Sequence, residues 1–350
     1  MCQCCIETSS KRELSRHKFL RLGLLAGAST MLTACGLDGL AGRPTPGPTA
    51  LPTAPTLPVS NAYPQLAGEL TAISEADLTL RSATRSRTFP LPADALFYSE
   101  TGAAIESGQL ETGQSVALWL EGEAVSVLQV QPNLAHIAVD PALLPQPDPT
   151  GETVAVGSLT MTTRAGWGAA NPDFSAYAET GLFDPDTNPE GWLVYSEPLS
   201  EALNTVVLHH SVGSFIDGVR EIQRFHRVRR GYADIAYHYV IDGFGDLFEG
   251  RELTARGAHT GGANTGTVGV VLLGDFSRIS VLRDQLQTAA ALIAWLAAEY
   301  SITHLAGHRD FQPGITECPG DHLEEWLPAL AETTGLIVGT GGYVVPSWAR

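Results

Sequence analysis

Lysine is nearly missing from this sequence: Lys11 and Lys18 are the only two in 350 residues. Beyond residue 18 no side-chain amine is available as a base or a Schiff-base nucleophile, and every cationic side chain other than histidine is arginine. Basic charge as a whole is short. Lys and Arg total 21 against 38 Asp and Glu, a formal net charge of −17, which excludes a role built on phosphate-backbone binding, so no nucleic-acid partner is expected. Cysteine is also scarce and poorly placed for cross-linking. Cys2, Cys4 and Cys5 crowd the start, Cys35 follows, and only Cys318 lies in the rest, so a disulfide framework is excluded for the body of the chain. The apolar run at 20–32 covers about 13 residues, short of the ~20 needed to cross a bilayer as a helix. With 44% apolar residues, the chain has enough hydrophobic material for packed cores and is not of disordered composition.

The charge that is present is uneven. Lys11, Arg12, Arg16, Lys18 and Arg21 lie around the start of the 20–32 run, the arrangement of an export signal. Without residues 1–34 the balance is 16 basic to 36 acidic, or −20. The run closes on Leu32-Thr33-Ala34-Cys35, which resembles a bacterial lipobox, in which the cysteine is lipidated and becomes the mature N-terminus. The segment Ser15-Arg16-His17-Lys18-Phe19-Leu20-Arg21 resembles a twin-arginine signal but has His17 where a second arginine belongs, which leaves the export route open. The expectation is a signal peptide at 1–34, a lipid on Cys35 and a protein tethered at the outer face of the cell membrane or envelope. Several acyl chains acting together would make that anchor stable. Cys318 would then be the mature protein's single thiol.

Composition changes divide the remainder. Residues 35–62 are rich in Pro and Thr and read as an extended tether. Residues 63–133 hold short alternating runs at 68–73, 78–80, 87–91, 115–120 and 124–130, the pattern of a small all-β barrel. It has no His or Cys and reads as a spacer or a weak binding module. Residues 134–160 carry four prolines and read as a second linker. From 161 to 336 the pattern is α/β: a mixed central sheet with strands at 205–208, 235–241 and 268–273, flanked by helices at 219–229, 283–300 and 322–333. In the longest helix Leu286, Ala290, Ile293 and Ala297 recur at helical spacing. Residues 337–350 read as a tail.

Chemistry-bearing residues concentrate in this α/β part. His209-His210 ends the apolar run Val206-Val207-Leu208, His308 lies in Gly307-His308-Arg309-Asp310, and Cys318 lies in Thr316-Glu317-Cys318-Pro319-Gly320. Two imidazoles and one thiolate suit zinc, and three protein ligands leave one position open, as in catalytic zinc sites. On spacing alone, with His209 and His308 99 residues apart, histidines on the surface or packed in a core would be the better reading.

Ordered blocks settle more. They are Arg164-Ala165-Gly166-Trp167-Gly168-Ala169, Val206-Val207-Leu208-His209-His210-Ser211, Ile222-Gln223-Arg224-Phe225-His226 leading to Asp234-Ile235-Ala236-Tyr237-His238-Tyr239-Val240-Ile241-Asp242-Gly243, Glu249-Gly250-Arg251, Gly257-Ala258-His259-Thr260-Gly261-Gly262, Gly269-Val270-Val271-Leu272-Leu273-Gly274-Asp275-Phe276, and the segments around His308 and Cys318. Through them residues 161–336 resemble the peptidoglycan-recognition and type-2 N-acetylmuramoyl-L-alanine amidase family. The resemblance implies a zinc-dependent hydrolase that cuts the amide between the N-acetylmuramoyl lactyl group and L-alanine, with peptidoglycan or muropeptides as its partner. It implies zinc ligands at His209, His308 and Cys318. Alternation along a strand agrees that His209 and His210 cannot both face one metal, so His210 is expected to pack or hydrogen-bond behind the site.

The same resemblance implies catalytic roles for Tyr237, which would hold water or donate to an oxyanion, and for Thr316, which stands where some relatives carry lysine and would either bond the substrate or shape its loop. A glutamate used by other relatives as a base is matched here by Val271. His259 and Asn264 match a loop that lines the peptide groove. Relatives that recognise diaminopimelate often carry Gly-Trp after the Glu-Gly-Arg block, where this chain has Glu252-Leu253, so the stem-peptide type stays open. A monomer is expected. The alternative is a cell-surface lipoprotein that binds peptidoglycan without cutting it; such relatives typically lack the cysteine ligand, which this chain has.

Overall fold

The first strands of the chain build one sheet. In the computed structural model, which describes residues 64–82, 85–131, 138–174, 176, 194–213 and 218–341, they are β1 (Leu66–Ile73), β2 (Asp77–Arg81), β3 (Ser86–Pro90), β4 (Leu96–Tyr98), β5 (Ala104–Ile105), β6 (Ser115–Glu121) and β7 (Ala124–Val130). Cys35, the expected signal at 1–34 and the tether at 35–62 lie outside the described residues. The order is β3-β2-β1-β6-β7-β4-β5. Period-two alternation does the work expected of it. Leu78 and Leu80, and Val116 and Leu118, are buried on a common core with Leu66, Leu70 and Phe89. Val125 and Leu128 join them three residues apart, because the β6–β7 register shifts at Ser126. The sequence reading expects a barrel. Among the described residues no ladder joins the outer strands β3 and β5, while β3 comes close to β7, with β2, β1 and β6 between them in the order, so the sheet curls on itself.

The second sheet has the order β15-β14-β10-β13-β11-β12-β9-β8. Its strands are β8 (Thr153–Val156), β9 (Leu159–Thr162), β10 (Thr205–His210), β11 (Tyr239–Ile241), β12 (Leu247–Glu249), β13 (Thr267–Leu272), β14 (His304–Gly307) and β15 (Ile337–Val338). β15, β14, β10, β13 and β11 run parallel, whereas β12 opposes β11 and β8 opposes β9. Central parallel strands are covered on both faces, so β10 and β13 are buried at every residue and read as apolar runs with little alternation. The helices are α1 (Arg164–Trp167), α2 (Leu199–Ala202), α3 (Val219–Arg224), which continues as a wider turn over Phe225–Arg229, α4 (Arg283–Tyr300), α5 (His308–Phe311), α6 (Asp321–Glu324) and α7 (Leu327–Thr334). On one face Val206, Leu208, Val268, Val270 and Leu272 pack with Leu292, Ile293 and Leu296 of α4. On the other, Val240, Val271 and Leu273 pack with Val219 and Ile222 of α3 and with Trp167.

Several boundaries differ from the sequence reading. The stretch 134–160 is not linker throughout. β8 and the first residues of β9 lie within it, and the Gln146 amide donates to Gln223 Oε1 at 2.8 Å while Arg220 donates to Pro147 O at 2.9 Å, tying the proline-rich segment to α3. The tail begins as sheet, because Ile337 and Val338 pair with His304 and Leu305. The strand expected at 235–241 is only β11. Ahead of it Ala236 N donates to the His226 ring and Arg251 N to Tyr237 O, so those groups are taken by a side chain and a loop. The helix expected at 322–333 is two helices, α6 and α7, with Pro328 in the first turn of the second, where its missing N–H costs least.

The two sheets touch. After β11, Asp242 Oδ1 accepts from Phe244 N and Asp246 N, both at 2.9 Å, a side-chain-closed turn. Phe244 is thereby pushed into the core of the first sheet. Arg85 pairs with Asp246 at 3.2 Å and Arg278 with Glu100 at 3.3 Å. Ala67, Ala117, Trp119 and Val127 of the first sheet join the larger core of the second.

Candidate metal centre

Strand register brings the distant histidines together. β10 and β14 are parallel neighbours with Leu208 opposite Gly307, so the next residue of each chain segment, His209 and His308, emerges side by side. Both stand at carboxyl ends of parallel strands, where open α/β sheets hold their ligands. Their rings lie 4.6 Å apart, centre to centre. Cys318 returns to the same place because Arg309 N donates to Cys318 O at 2.7 Å and Cys318 N donates to Thr316 Oγ1 at 3.0 Å. One ligand atom from each of His209, His308 and Cys318 lies within 4.8 Å of the others, and all three side chains are buried.

The donor set fits a metal. Zinc bonds of about 2.0–2.3 Å in a tetrahedron put ligand atoms about 3.3–3.6 Å apart. Cys318 Sγ lies 3.5 Å from His209 Nδ1. His308 Nδ1 is buried with no hydrogen-bond partner among the described residues, an unusual cost for a polar atom that a metal bond would remove. Nitrogen and sulfur together favour zinc over the oxygen-seeking cations.

His210 faces the other way, as alternation requires. Its Nδ1 accepts from Phe276 N at 3.2 Å, with the Asp275 carboxylate 3.9 Å off. Val271 stands in register beside His209 on β13 and is fully buried, so no carboxylate occupies that place.

Tyr237 sits just ahead of β11 with its ring 5.1 Å from that of His209 and 5.4 Å from that of His226. His226 is held at about 3 by burial, aided by Arg251 and Arg230, and stays neutral; its Nδ1 accepts from Ala236 N. His238 is lowered to about 4, again chiefly by burial.

The loop after β12 supplies His259. Its Nδ1 lies 3.1 Å from His209 Nε2 and 2.9 Å from Thr260 Oγ1. Burial first, then the neighbouring His209, His238 and His308, hold its pKa well below the ordinary value. Asn264 Oδ1 accepts from His259 N and from Thr260 N, both at 2.7 Å, so that oxygen is engaged in shaping the loop. Thr316 likewise spends an oxygen lone pair on the loop that carries Cys318.

Sequence reasoning missed Thr260 and Gln312. Gln312 Oε1 lies 3.1 Å from His308 Nε2, and its amide nitrogen donates to Gly261 O at 2.9 Å. The available signal was its place four residues after His308, which on a helical turn brings the two side chains onto one face.

The N-acetylmuramoyl-L-alanine amidase family matches residues 199–321, the stretch that contains all three candidate ligands. Peptidoglycan-recognition protein SC2 of Drosophila simulans is 32% identical over 135 residues, which cover 36% of this chain and 72% of that protein. Peptidoglycan recognition protein 1 of Rattus norvegicus is 31% identical over 144 residues, covering 37% and 76%. Among solved structures, an endolysin N-acetylmuramoyl-L-alanine amidase from Clostridium intestinale is 29% identical with a TM-score of 0.36, covering 41% of this chain and 93% of that one. Drosophila PGRP-LB is 26% identical with a TM-score of 0.40, covering 51% and 95%. By these sequence matches the chain belongs to the family of peptidoglycan-recognition proteins and N-acetylmuramoyl-L-alanine amidases.

Proposed function

We propose that this chain is a zinc-dependent N-acetylmuramoyl-L-alanine amidase that hydrolyses the amide between the lactyl group and the first L-alanine of peptidoglycan. The observation that carries the reading is the buried cluster of His209, His308 and Cys318, because a family member that only binds its ligand has no need of a thiol and two imidazoles converging on one point. Zinc held there would supply Lewis acidity, which activates water and polarises a carbonyl at neutral pH. The remaining work falls to this chain's own groups. The Tyr237 hydroxyl, on a ring whose centre lies 5.1 Å from that of His209, would orient the attacking water or donate to the oxyanion that develops on the scissile carbonyl. With no lysine after residue 18, no ammonium shares that task, and Val271 provides no base. Thr316 keeps the Cys318 loop in shape.

Digestion of purified peptidoglycan followed by mass spectrometry tests the reading. The expected products are stem peptides with a free L-alanine amino group and glycan chains with free lactyl carboxylates. Cuts inside the stem peptide, or co-sedimentation with intact peptidoglycan and no cut at all, would reject it.

The same proposal places the enzyme outside the cell on a lipid at Cys35. No helix among the described residues is long and apolar enough to cross a membrane, and the Leu32–Cys35 box supplies an anchor of another kind. Replacing Cys35→Ala should move the protein from the membrane fraction to the soluble or unprocessed pool. Recovery of that variant in the membrane fraction with a processed N-terminus would contradict the anchor.

A further inference from the structure

A histidine binds a metal through one nitrogen only when the proton sits on the other, so whatever touches the second nitrogen decides which nitrogen is available. Both candidate histidine ligands present the same pattern. His209 turns Nδ1 toward Cys318 Sγ and Nε2 toward His259 Nδ1. His308 turns Nε2 toward Gln312 Oε1 and leaves Nδ1 buried and unpaired among the described residues.

The Gln312 contact has a single chemical sense. Its amide nitrogen donates to Gly261 O, which fixes the amide with its oxygen toward His308. An amide oxygen only accepts, so His308 must carry its proton on Nε2 and hold a lone pair on Nδ1. At His209 the nitrogen on the cysteine side is again Nδ1. A metal bond there requires Nε2–H, which has two acceptors in reach, His259 Nδ1 at 3.1 Å and Thr260 Oγ1 at 3.5 Å; the shorter contact is with His259. The backbone that carries the His259 ring is fixed by a side chain: Asn264 Oδ1 accepts from His259 N and Thr260 N. A Cβ at Gly257 or Gly269 would lie 2.4 or 2.5 Å from the ring, so the absence of side chains at both positions makes the space it occupies.

We infer that His259 and Gln312 are positioning residues that fix the tautomers of the two histidine ligands, so that both bind metal through Nδ1. This deepens the proposed function and rests on His209, His308 and Cys318 being the ligands. His259 then acts on the metal site through His209 and is not chiefly a wall of the peptide groove. Gln312 ties His308 to the 257–264 loop, so the supports of the two ligands meet in one loop.

The test is zinc affinity, measured by competition with a chelator on the full chain, together with the absorption spectrum of the cobalt-substituted protein. Gln312→Leu removes both hydrogen bonds and should weaken zinc about 10- to 100-fold. Gln312→Glu keeps an acceptor for His308 Nε2–H but loses the donor to Gly261 O, and should hold zinc nearly as tightly as the parent. If Gln312 were only a tie between loops, the two variants would lose affinity alike, which overturns the inference. His259→Asn, which keeps an acceptor near the Nδ1 position, should likewise retain more affinity than His259→Phe. At saturating zinc the His259 variants should lower kcat with little change in KM; a raised KM with unaltered zinc affinity would instead assign His259 to the substrate. Should His259→Phe fail to fold, the Gln312 pair still decides, because Gln312 is only partly buried. Failure of the parent protein to bind zinc would reject the ligand assignment itself. Equal zinc binding by the parent and Gln312→Leu would reject this inference alone.

Discussion

Cys318→Ser is expected to empty the metal site: zinc content should fall from about one per chain to near zero, and turnover should fall to background. The thiol is the only sulfur donor in the cluster and is 1% exposed. A thiolate forms readily beside a metal, whereas a serine hydroxyl stays protonated at neutral pH and is a poor ligand. The loss should exceed the ~10- to 100-fold that removal of a supporting residue costs. The loop itself should survive, because its bonds are made by backbone: Cys318 N with Thr316 Oγ1, and Cys318 O with Arg309 N. A control separates metal loss from misfolding. Zinc that binds only the folded state raises its stability by linkage, so the parent should melt lower in chelator, while Cys318→Ser should melt at one temperature with or without it. Full zinc content and turnover in the variant would remove Cys318 from the site.

The reasons that parts of this molecule were legible lie in what each segment packs against. Residues 205–208 and 268–273 read as strands because both faces of β10 and β13 are covered, which demands an unbroken apolar run. β14 was not read. Its four residues, His304-Leu305-Ala306-Gly307, carry little β character, and the strand is held by its neighbours β10 and β15. That omission matters for function, since the β10–β14 register is what sets His308 beside His209. No spacing rule contains that register; here the resemblance of short blocks supplied the pairing that local pattern could not. In α4 the periodicity was right and the face was rotated. Leu286, Ala290 and Ala297 are only partly buried, while Ala289, Leu292 and Leu296 are fully buried with Ile293. An alanine-rich helix offers two nearly equivalent stripes, and the choice is made by the sheet. Gln285 helps make it, donating to Leu273 O at 2.9 Å. Thr260 was illegible for another reason: its contact with His209 is made by the fold. Gln312 had a local signal in its i+4 spacing from His308, but its second partner, Gly261 O, is supplied by the fold.

Tyr237→Phe should keep zinc and lose turnover. The ring is partly buried and packs against the cluster beneath α3 that contains Ile235, Val240 and Val271, and its centre is 5.1 Å from that of His209. Phenylalanine preserves that packing, so melting temperature and zinc stoichiometry should match the parent. The phenol is not among the three proposed ligands His209, His308 and Cys318, so the metal has no reason to leave. What disappears is one donor at the place where negative charge builds on the scissile carbonyl. Loss of one such donor typically costs ~10²–10³ in turnover. The effect should fall on kcat, because the bond is stronger in the transition state than with the resting carbonyl. Neighbouring groups offer little substitute. Lysine is absent beyond residue 18 and Val271 is apolar, while Thr316 Oγ1 accepts from Cys318 N and keeps its own O–H as a hydroxyl donor near Cys318. Zinc content, melting and turnover must therefore be measured on the same sample. Near-normal kcat with zinc in place would make Tyr237 a packing aromatic, and the donor would then have to be sought at Thr316, whose hydroxyl lies two residues before Cys318 and bonds its backbone N–H.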